Sequence, residues 1–169
     1  GVAPHIQPEK VHNILISTGG SDELHLSLSI LRYIVEKGRR EEQRRSGEQG
    51  RDKNVRTNRV YHFLLGAMNA DKEEIKKVAS DVDNVIIHEN VQNMRSLIEG
   101  MDIVISAAGS TLYEIAACGV PLITYSLADN QIPGGEAFSN LGLGVYIGDL
   151  RDPNTIDHNS VMSGELESN

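Results

Sequence analysis

The stretch Ile103–Gln131, IVISAAGSTLYEIAACGVPLITYSLADNQ, decides the fold. Ile103–Ser106 is a short apolar run of the buried-strand type, and it ends in the small residues Ala107, Ala108 and Gly109. Thr111–Cys118 then carries helical spacing, Gly119-Val120-Pro121 breaks it, and Leu122–Tyr125 is a second apolar strand. The polar cluster Asp129-Asn130-Gln131 stands where that strand should end. Strand, helix and strand in this order make a parallel unit with a right-handed crossover. Parallel sheets of this kind bind ligands just beyond the carboxyl ends of their strands.

The same alternation extends in both directions. Asn13–Ser17, Val60–Leu65, Val85–His88 and Val145–Ile147 are further Val/Ile/Leu-rich strand candidates, as expected where helices cover both faces of a sheet. Helices are predicted over Glu23–Lys37, Asp71–Ser80, Asn93–Glu99 and Gln131–Leu141. In the first of these, Leu24, Leu28, Leu31 and Val35 form one apolar stripe. The prediction is a three-layer, Rossmann-like α/β domain with a parallel sheet over residues 1–150, followed by a polar tail over 151–169 that frays or awaits a partner.

One segment interrupts the pattern. Arg39–Arg59 holds eight of the chain's 16 basic residues against four acids, with Val55 its only large apolar side chain. Ordering some 20 residues costs on the order of 20–40 kcal/mol of backbone entropy, and this segment has little apolar surface to offset it. It reads as a mobile, solvated insertion, with a basic contact surface as the sharper alternative.

Composition narrows the class. A 169-residue chain is one domain by the usual size rule and buries roughly 70% of its unfolded surface, enough to fold without metal or disulfide. A net charge of −8 argues against general nucleic-acid binding, so any anion site must be local and built from backbone N–H groups. Cys118, the single cysteine, lies in an apolar helix pattern and reads as a buried thiol in a reducing compartment, hence a cytoplasmic location. No apolar run approaches the ~20 residues of a membrane span, and no signal peptide precedes the first strand. The opening Gly1 is what an excised piece would show.

Three loops carry the chemistry. Ser17-Thr18-Gly19-Gly20-Ser21-Asp22 joins the first strand to its helix. Its two glycines allow a tight turn, and the helix start carries about half a positive charge, a usual seat for a diphosphate. It is neither GxGxxG nor a P-loop, which removes the main support for a dinucleotide or ATP site. The plainer reading is a strand–helix turn with Ser21 or Asp22 as N-cap. Ser106-Ala107-Ala108-Gly109-Ser110-Thr111 repeats the design, and the two loops can face one crevice. Glu114 is either the partner of Thr111 in a capping box or a carboxylate for two vicinal ribose hydroxyls. Asp129-Asn130-Gln131 is either a capping turn or a set of amide and carboxylate groups aimed at a ligand. Gly134-Gly135 should weaken the first turn of the following helix.

The motifs ISTGGSD, NMRSLIEGMDIVISAAGSTLYEIAACGVPLITY and ADNQ together resemble the carboxyl-terminal half of the PseG/SpsG group. These are UDP-sugar hydrolases of pseudaminic acid synthesis and related spore-coat polysaccharide proteins, similar in turn to the MurG-like glycosyltransferases of GT-B fold. The resemblance spans about Asn13 to Leu150. It implies a UDP-sugar ligand, with Gly19, Gly20 and Ser21 facing the diphosphate and Val91 and Met94 lining the uracil. Gly109, Ser110 and Thr111 would add contacts to phosphate, Glu114 would hold the ribose, and Asn130 and Gln131 would address the sugar. Val91 and Met94 also read as core positions. No cofactor and no metal are implied, because these enzymes stabilise the leaving diphosphate with helix termini.

The family's amino-terminal half, whose histidine helps activate water, has no counterpart here. Such a GT-B-like domain is therefore expected as a partner in cis or in trans. Asp129 and Asn130 are the only candidates within these motifs for a catalytic role. Arg39–Arg59 and Pro133-Gly134-Gly135 depart from the family pattern. Three functions stay open: the UDP-sugar-binding half of a hydrolase, the donor half of a glycosyltransferase, and a non-catalytic subunit that needs a partner chain.

Overall fold

The computed structural model describes residues 10–47, 59–152 and 155. Six strands alternate with five helices: β1 Asn13–Ser17, α1 Leu26–Gly47, β2 Val60–Leu64, α2 Lys72–Ala79, β3 Val85–His88, α3 Met94–Glu99, β4 Ile103–Ala107, α4 Thr111–Cys118, β5 Leu122–Ser126, α5 Ile132–Asn140 and β6 Val145–Asp149. All strand pairs are parallel, in the spatial order β3-β2-β1-β4-β5-β6. The chain steps outward from β1 to β3, returns to lay β4 beside β1, and steps outward again. The crevice between β1 and β4, at their carboxyl ends, is thus the topological switch point of the sheet.

Two apolar clusters make the three layers. On one face, Leu15, Val104 and Leu122 of the strands meet Ile98 of α3, Leu112 and Ile115 of α4, and Phe138 of α5. On the other, Ile16 and Phe63 meet Leu28 and Leu31 of α1 and Ile75 of α2. Most of these side chains are fully buried, each contributing about 1.5–3 kcal/mol of transfer free energy. Cys118 belongs to the first cluster, where burial pushes its thiol pKa up, as a structural thiol should behave. The second face is less complete: in the registered row Ile105–Ile123–Val145, Val145 is 59% exposed.

The strands match the sequence reading to within two residues, but α1 does not. It starts at Leu26 rather than Glu23, because Asp22 and His25 adopt left-handed backbone angles (φ 52° and 54°) that a helix cannot contain. Leu24 therefore lies outside the apolar stripe and is 41% exposed. At its other end α1 continues to Gly47, so Arg39–Gly47 is helical where a solvated insertion was predicted. Arg, Glu and Gln are good helix formers, and they extend a helix already anchored by Leu28 and Leu31. Residues 48–58 lie outside the described residues, as does nearly all of the tail.

The helix predicted over Gln131–Leu141 is a 3₁₀ turn at Asp129–Gln131 leading into α5. Gly135 is required there: a Cβ would lie 2.5 Å from the ring of Tyr146. The Tyr146 hydroxyl then donates to Ser126 Oγ at 2.9 Å, fastening β6 to the end of β5.

Candidate functional site

The two glycine-containing loops flank the switch point, since Ser17 and Ser106 are registered neighbours at the ends of β1 and β4. Tyr125 fixes both loops from β5. Its buried hydroxyl donates to Ser17 O at 3.3 Å, and its carbonyl accepts from Ala108 N at 2.7 Å. Burial pushes the Tyr125 phenol far above its ordinary pKa, so it stays a neutral donor.

Within the first loop, Gly19 and Gly20 are exposed and Ser21 is half-buried. Their N–H groups donate to no acceptor among the described residues. The α1 terminus itself is occupied. Asp22, 3% exposed, accepts from Leu26 N and Ser27 N at 2.9 Å each, which places a carboxylate on the positive end of the helix. The Asp22 side chain thus caps α1 from upstream of the N-cap position, His25, and the positive end of the α1 dipole faces a carboxylate. Asn69 supports Asp22 from the β2–α2 loop, donating to it at 3.2 Å.

The α4 terminus is open by contrast. Ser110 stands at the N-cap with no side-chain capping bond, and the N–H groups of Ser110 and Thr111 find no acceptor among the described residues. Thr111 is the first helical residue and not the cap, so the capping-box alternative for Glu114 does not hold. Glu114 is exposed on the first turn and makes no hydrogen bond or ion pair among the described residues. An anion at this end would meet free N–H groups at the positive end of the helix, with Glu114 one turn along it.

Around these loops the other predicted residues divide. Met94 opens α3 beneath the Asn93 cap and packs against the α3–α4 core, while Val91 is half-buried in the preceding loop. Asn130 is exposed. Gln131 is partly committed to structure, its Oε1 accepting from Leu127 N at 2.8 Å. Asp129 caps nothing; its side chain is 92% exposed and pairs with Arg151 Nη2 at 2.5 Å. Arg151 also grips Asp149, holding that carboxyl below the usual carboxylate range. His88 stacks on His62, with Nε2 2.9 Å from His62 Nδ1, a structural pair on the sheet rather than a group at the loops. Among the described residues no cluster of three or more metal-ligating side chains occurs.

Sequence reading missed Gly66, Asn69, Arg151 and His25. Gly66 offered a signal, a glycine directly after a strand in LLGA, like those of the two loops. A groove of about 880 Å³ between α1 and α2, lined by Arg32, Glu36, Glu74 and Lys77 among others, includes none of the loop residues.

A parallel sheet of this order with open loops at its switch point is a doubly wound, Rossmann-like domain, the architecture of the carboxyl-terminal half of GT-B proteins. The fold agrees: the structure aligns with the crystal structure of MurG from Acinetobacter baumannii at a TM-score of 0.57 and 16% identity, covering 95% of this chain and 43% of that one. The chain belongs to the family described as the glycosyltransferase family 28 C-terminal domain, which matches residues 13–149. Among curated proteins it is similar to the spore coat polysaccharide biosynthesis protein SpsG of Bacillus subtilis, 24% identical over 136 residues (80% of this chain, 35% of that protein). An uncharacterized protein of Methanocaldococcus jannaschii is 26% identical over 118 residues, 68% of this chain and 21% of that protein. A third relative, of an Exiguobacterium species, is named a UDP-N-acetylglucosamine–N-acetylmuramyl-(pentapeptide) pyrophosphoryl-undecaprenol N-acetylglucosamine transferase. It is 36% identical over 90 residues, half of this chain and 25% of that protein. The chain thus spans about a third or less of the length of these relatives. Among the described residues no helix is long and apolar enough to cross a membrane.

Proposed function

We propose that this chain is the UDP-sugar-binding half of a nucleotide-sugar hydrolase of surface-polysaccharide or nonulosonic acid biosynthesis. It would complete its site with an amino-terminal GT-B-like domain, in cis or in trans. The observation that supports this reading is the pair of open loops at one switch point. The free N–H groups of Gly19–Ser21 and of Ser110 and Thr111 can share a diphosphate across the β1–β4 crevice. In that pose the unpartnered Glu114 carboxylate accepts from the ribose hydroxyls, and Val91 and Met94 line the base. Asn130 and the free amide of Gln131 turn to the sugar.

The chemistry that follows is assisted departure of UDP. As the bond from the anomeric carbon to the diphosphate breaks, negative charge grows on the leaving oxygens. Fixed N–H dipoles at the α4 terminus stabilise that charge without reorganising. Water, or an acceptor hydroxyl, enters from the side of the partner domain. The resemblance of the ISTGGSD, AGSTLYE and ADNQ motifs to the PseG/SpsG group favours the hydrolase. The family description and the Exiguobacterium transferase support the second reading, a glycosyltransferase donor domain.

Calorimetric titration with UDP, UDP-sugars, CMP and ADP tests the common core of both readings. Uridine nucleotides should bind in the micromolar-to-millimolar range, about 4–8 kcal/mol, and more tightly than the others. Equal, negligible heats for all of them would sink it.

A further inference from the structure

The β1–α1 and β2–α2 loops are joined by a polar chain that ends in an exposed imidazole. Buried Asp22 accepts from Asn69 Nδ2 at 3.2 Å, Asn69 Oδ1 accepts from Asp71 N at 2.8 Å, and Asp71 Oδ2 lies 2.5 Å from His25 Nδ1. Asp22 and Asn69 are only 3% and 5% exposed, whereas the His25 side chain is 60% exposed. The His25 backbone is held as firmly. It sits at φ 54°, with its N–H donating to Asp22 O at 2.9 Å and its carbonyl accepting from Ser29. Histidine is among the non-glycine residues that enter the left-handed region most readily, and these hydrogen bonds hold it there.

This arrangement commits Nδ1 and leaves Nε2 without a partner among the described residues. Asp71 beside the ring raises the His25 pKa above 6.5, and buried Asp22 adds to the effect. The charged groups that act on it are these two carboxylates, and the nearest further charges along the chain are Glu23 in its own loop and Lys72 at the start of α2. Lys72 is engaged with Ala67 O and faces Glu89. Arg151, at the other end of the same sheet edge, is held by two carboxylates. The His25 ring therefore stands beside the first glycine loop with Nδ1 held by a carboxylate and Nε2 open. The Asp22–His25 hydrogen bond closes a turn that keeps its Cα within about 7 Å of Asp22, the residue next to Ser21.

We propose that His25 is a further phosphate ligand of this site, its Nε2–H directed at a diphosphate oxygen by Asp71 as the positioning residue. The proposal rests on the nucleotide-sugar reading above and assigns to one side chain the positive charge that the Asp22-capped α1 terminus cannot supply. It makes affinity pH-dependent: binding weakens as pH rises through the His25 pKa.

The test uses UDP-N-acetylglucosamine, whose diphosphate takes up no proton near neutrality, with uridine as the uncharged probe. Both are titrated into the whole chain between pH 6 and 8, as wild type, His25→Asn and Asp71→Asn. Asparagine tolerates the left-handed backbone, so the first variant keeps the loop. Wild type should lose affinity for the UDP-sugar with rising pH. His25→Asn should bind about threefold to tenfold more weakly at pH 6.5, with the pH dependence gone. Asp71→Asn should shift the transition to lower pH, and uridine should respond to neither change. UDP-sugar binding that is equal in wild type and His25→Asn at every pH overturns this assignment and leaves the nucleotide site standing. No UDP-sugar binding by wild type at any pH overturns both.

Discussion

A Cβ on Gly66 would lie 2.3 Å from the carbonyl oxygen of Gly20. The end of β2 thus fits against the backbone of the first glycine loop, and Met68 N, donating to Gly20 O at 3.1 Å, holds it there. Gly66 has no side chain to offer a ligand, yet it sets where the loop's N–H groups point.

Gly66→Ala is therefore expected to act on binding through loop position. The clashing atoms are backbone, so the loop must move, at a cost of about 1–3 kcal/mol typical of overpacking. UDP affinity should fall about tenfold or more, while uridine, which needs no diphosphate seat, should be much less affected. Paired calorimetry and thermal unfolding check this. A variant that binds UDP as well as wild type would show that Gly19 and Gly20 do not hold the diphosphate.

Glu114→Ala separates two roles for the same carboxylate. The absent capping box makes a large loss of helix stability unexpected, so thermal unfolding should change little. UDP should lose affinity, whereas 2′,3′-dideoxy-UDP, which lacks the vicinal hydroxyls, should bind the variant and wild type alike. Equal losses for both ligands would remove Glu114 from the ribose.

The fold was legible where one rule dominated. The six strands are short Val/Ile/Leu-rich runs between turn signals, and burial on a parallel sheet leaves such runs no other use. Thr111–Cys118 is a helix with the bounds read from its spacing, because Gly119 ends it in a left-handed C-cap. Arg39–Gly47 was misread because its lack of apolar residues was weighed against tertiary burial, when an anchored helix can grow into solvent on propensity alone. At the site, the two loops were visible as motifs, but their supports were not. Asn69, Asp71 and Arg151 act through contacts with residues about 20 to 50 positions away, which no local pattern reports, and of these supports Gly66 alone had a local mark, a glycine after a strand.

The His62–His88 pair predicts a pH dependence of stability. Burial lowers both pKa values from 6.5, and in His62 the neighbouring ring lowers it further. The unfolded chain then binds protons more readily than the folded one, so stability rises with pH. The pair's contribution is complete above about pH 6.5 and is lost as pH falls through the lowered folded values. Urea midpoints at pH 7.5 and 5.5 should differ less in His88→Gln than in wild type. An unchanged difference would mean that the pair does not govern acid sensitivity.

Catalysis is where the isolated chain should fail. A general base placed near the anomeric carbon is typically worth about 10²–10⁴ in rate, besides the proximity term. Of the catalytic candidates read from the motifs, Asn130 cannot act as a base, and Asp129 is turned into solvent and held by Arg151. His62 and His88 are committed to each other, and His25, with its pKa raised by Asp71, suits phosphate better than proton abstraction. Residues 1–169 are expected to bind a UDP-sugar yet release UDP at the background rate. Adding a GT-B-like amino-terminal domain, fused or as a separate chain, should restore turnover. The check is a coupled assay of UDP release with and without that domain. UDP release by the isolated chain, abolished by Asp129→Asn, would make Asp129 the base and place the whole reaction in this domain.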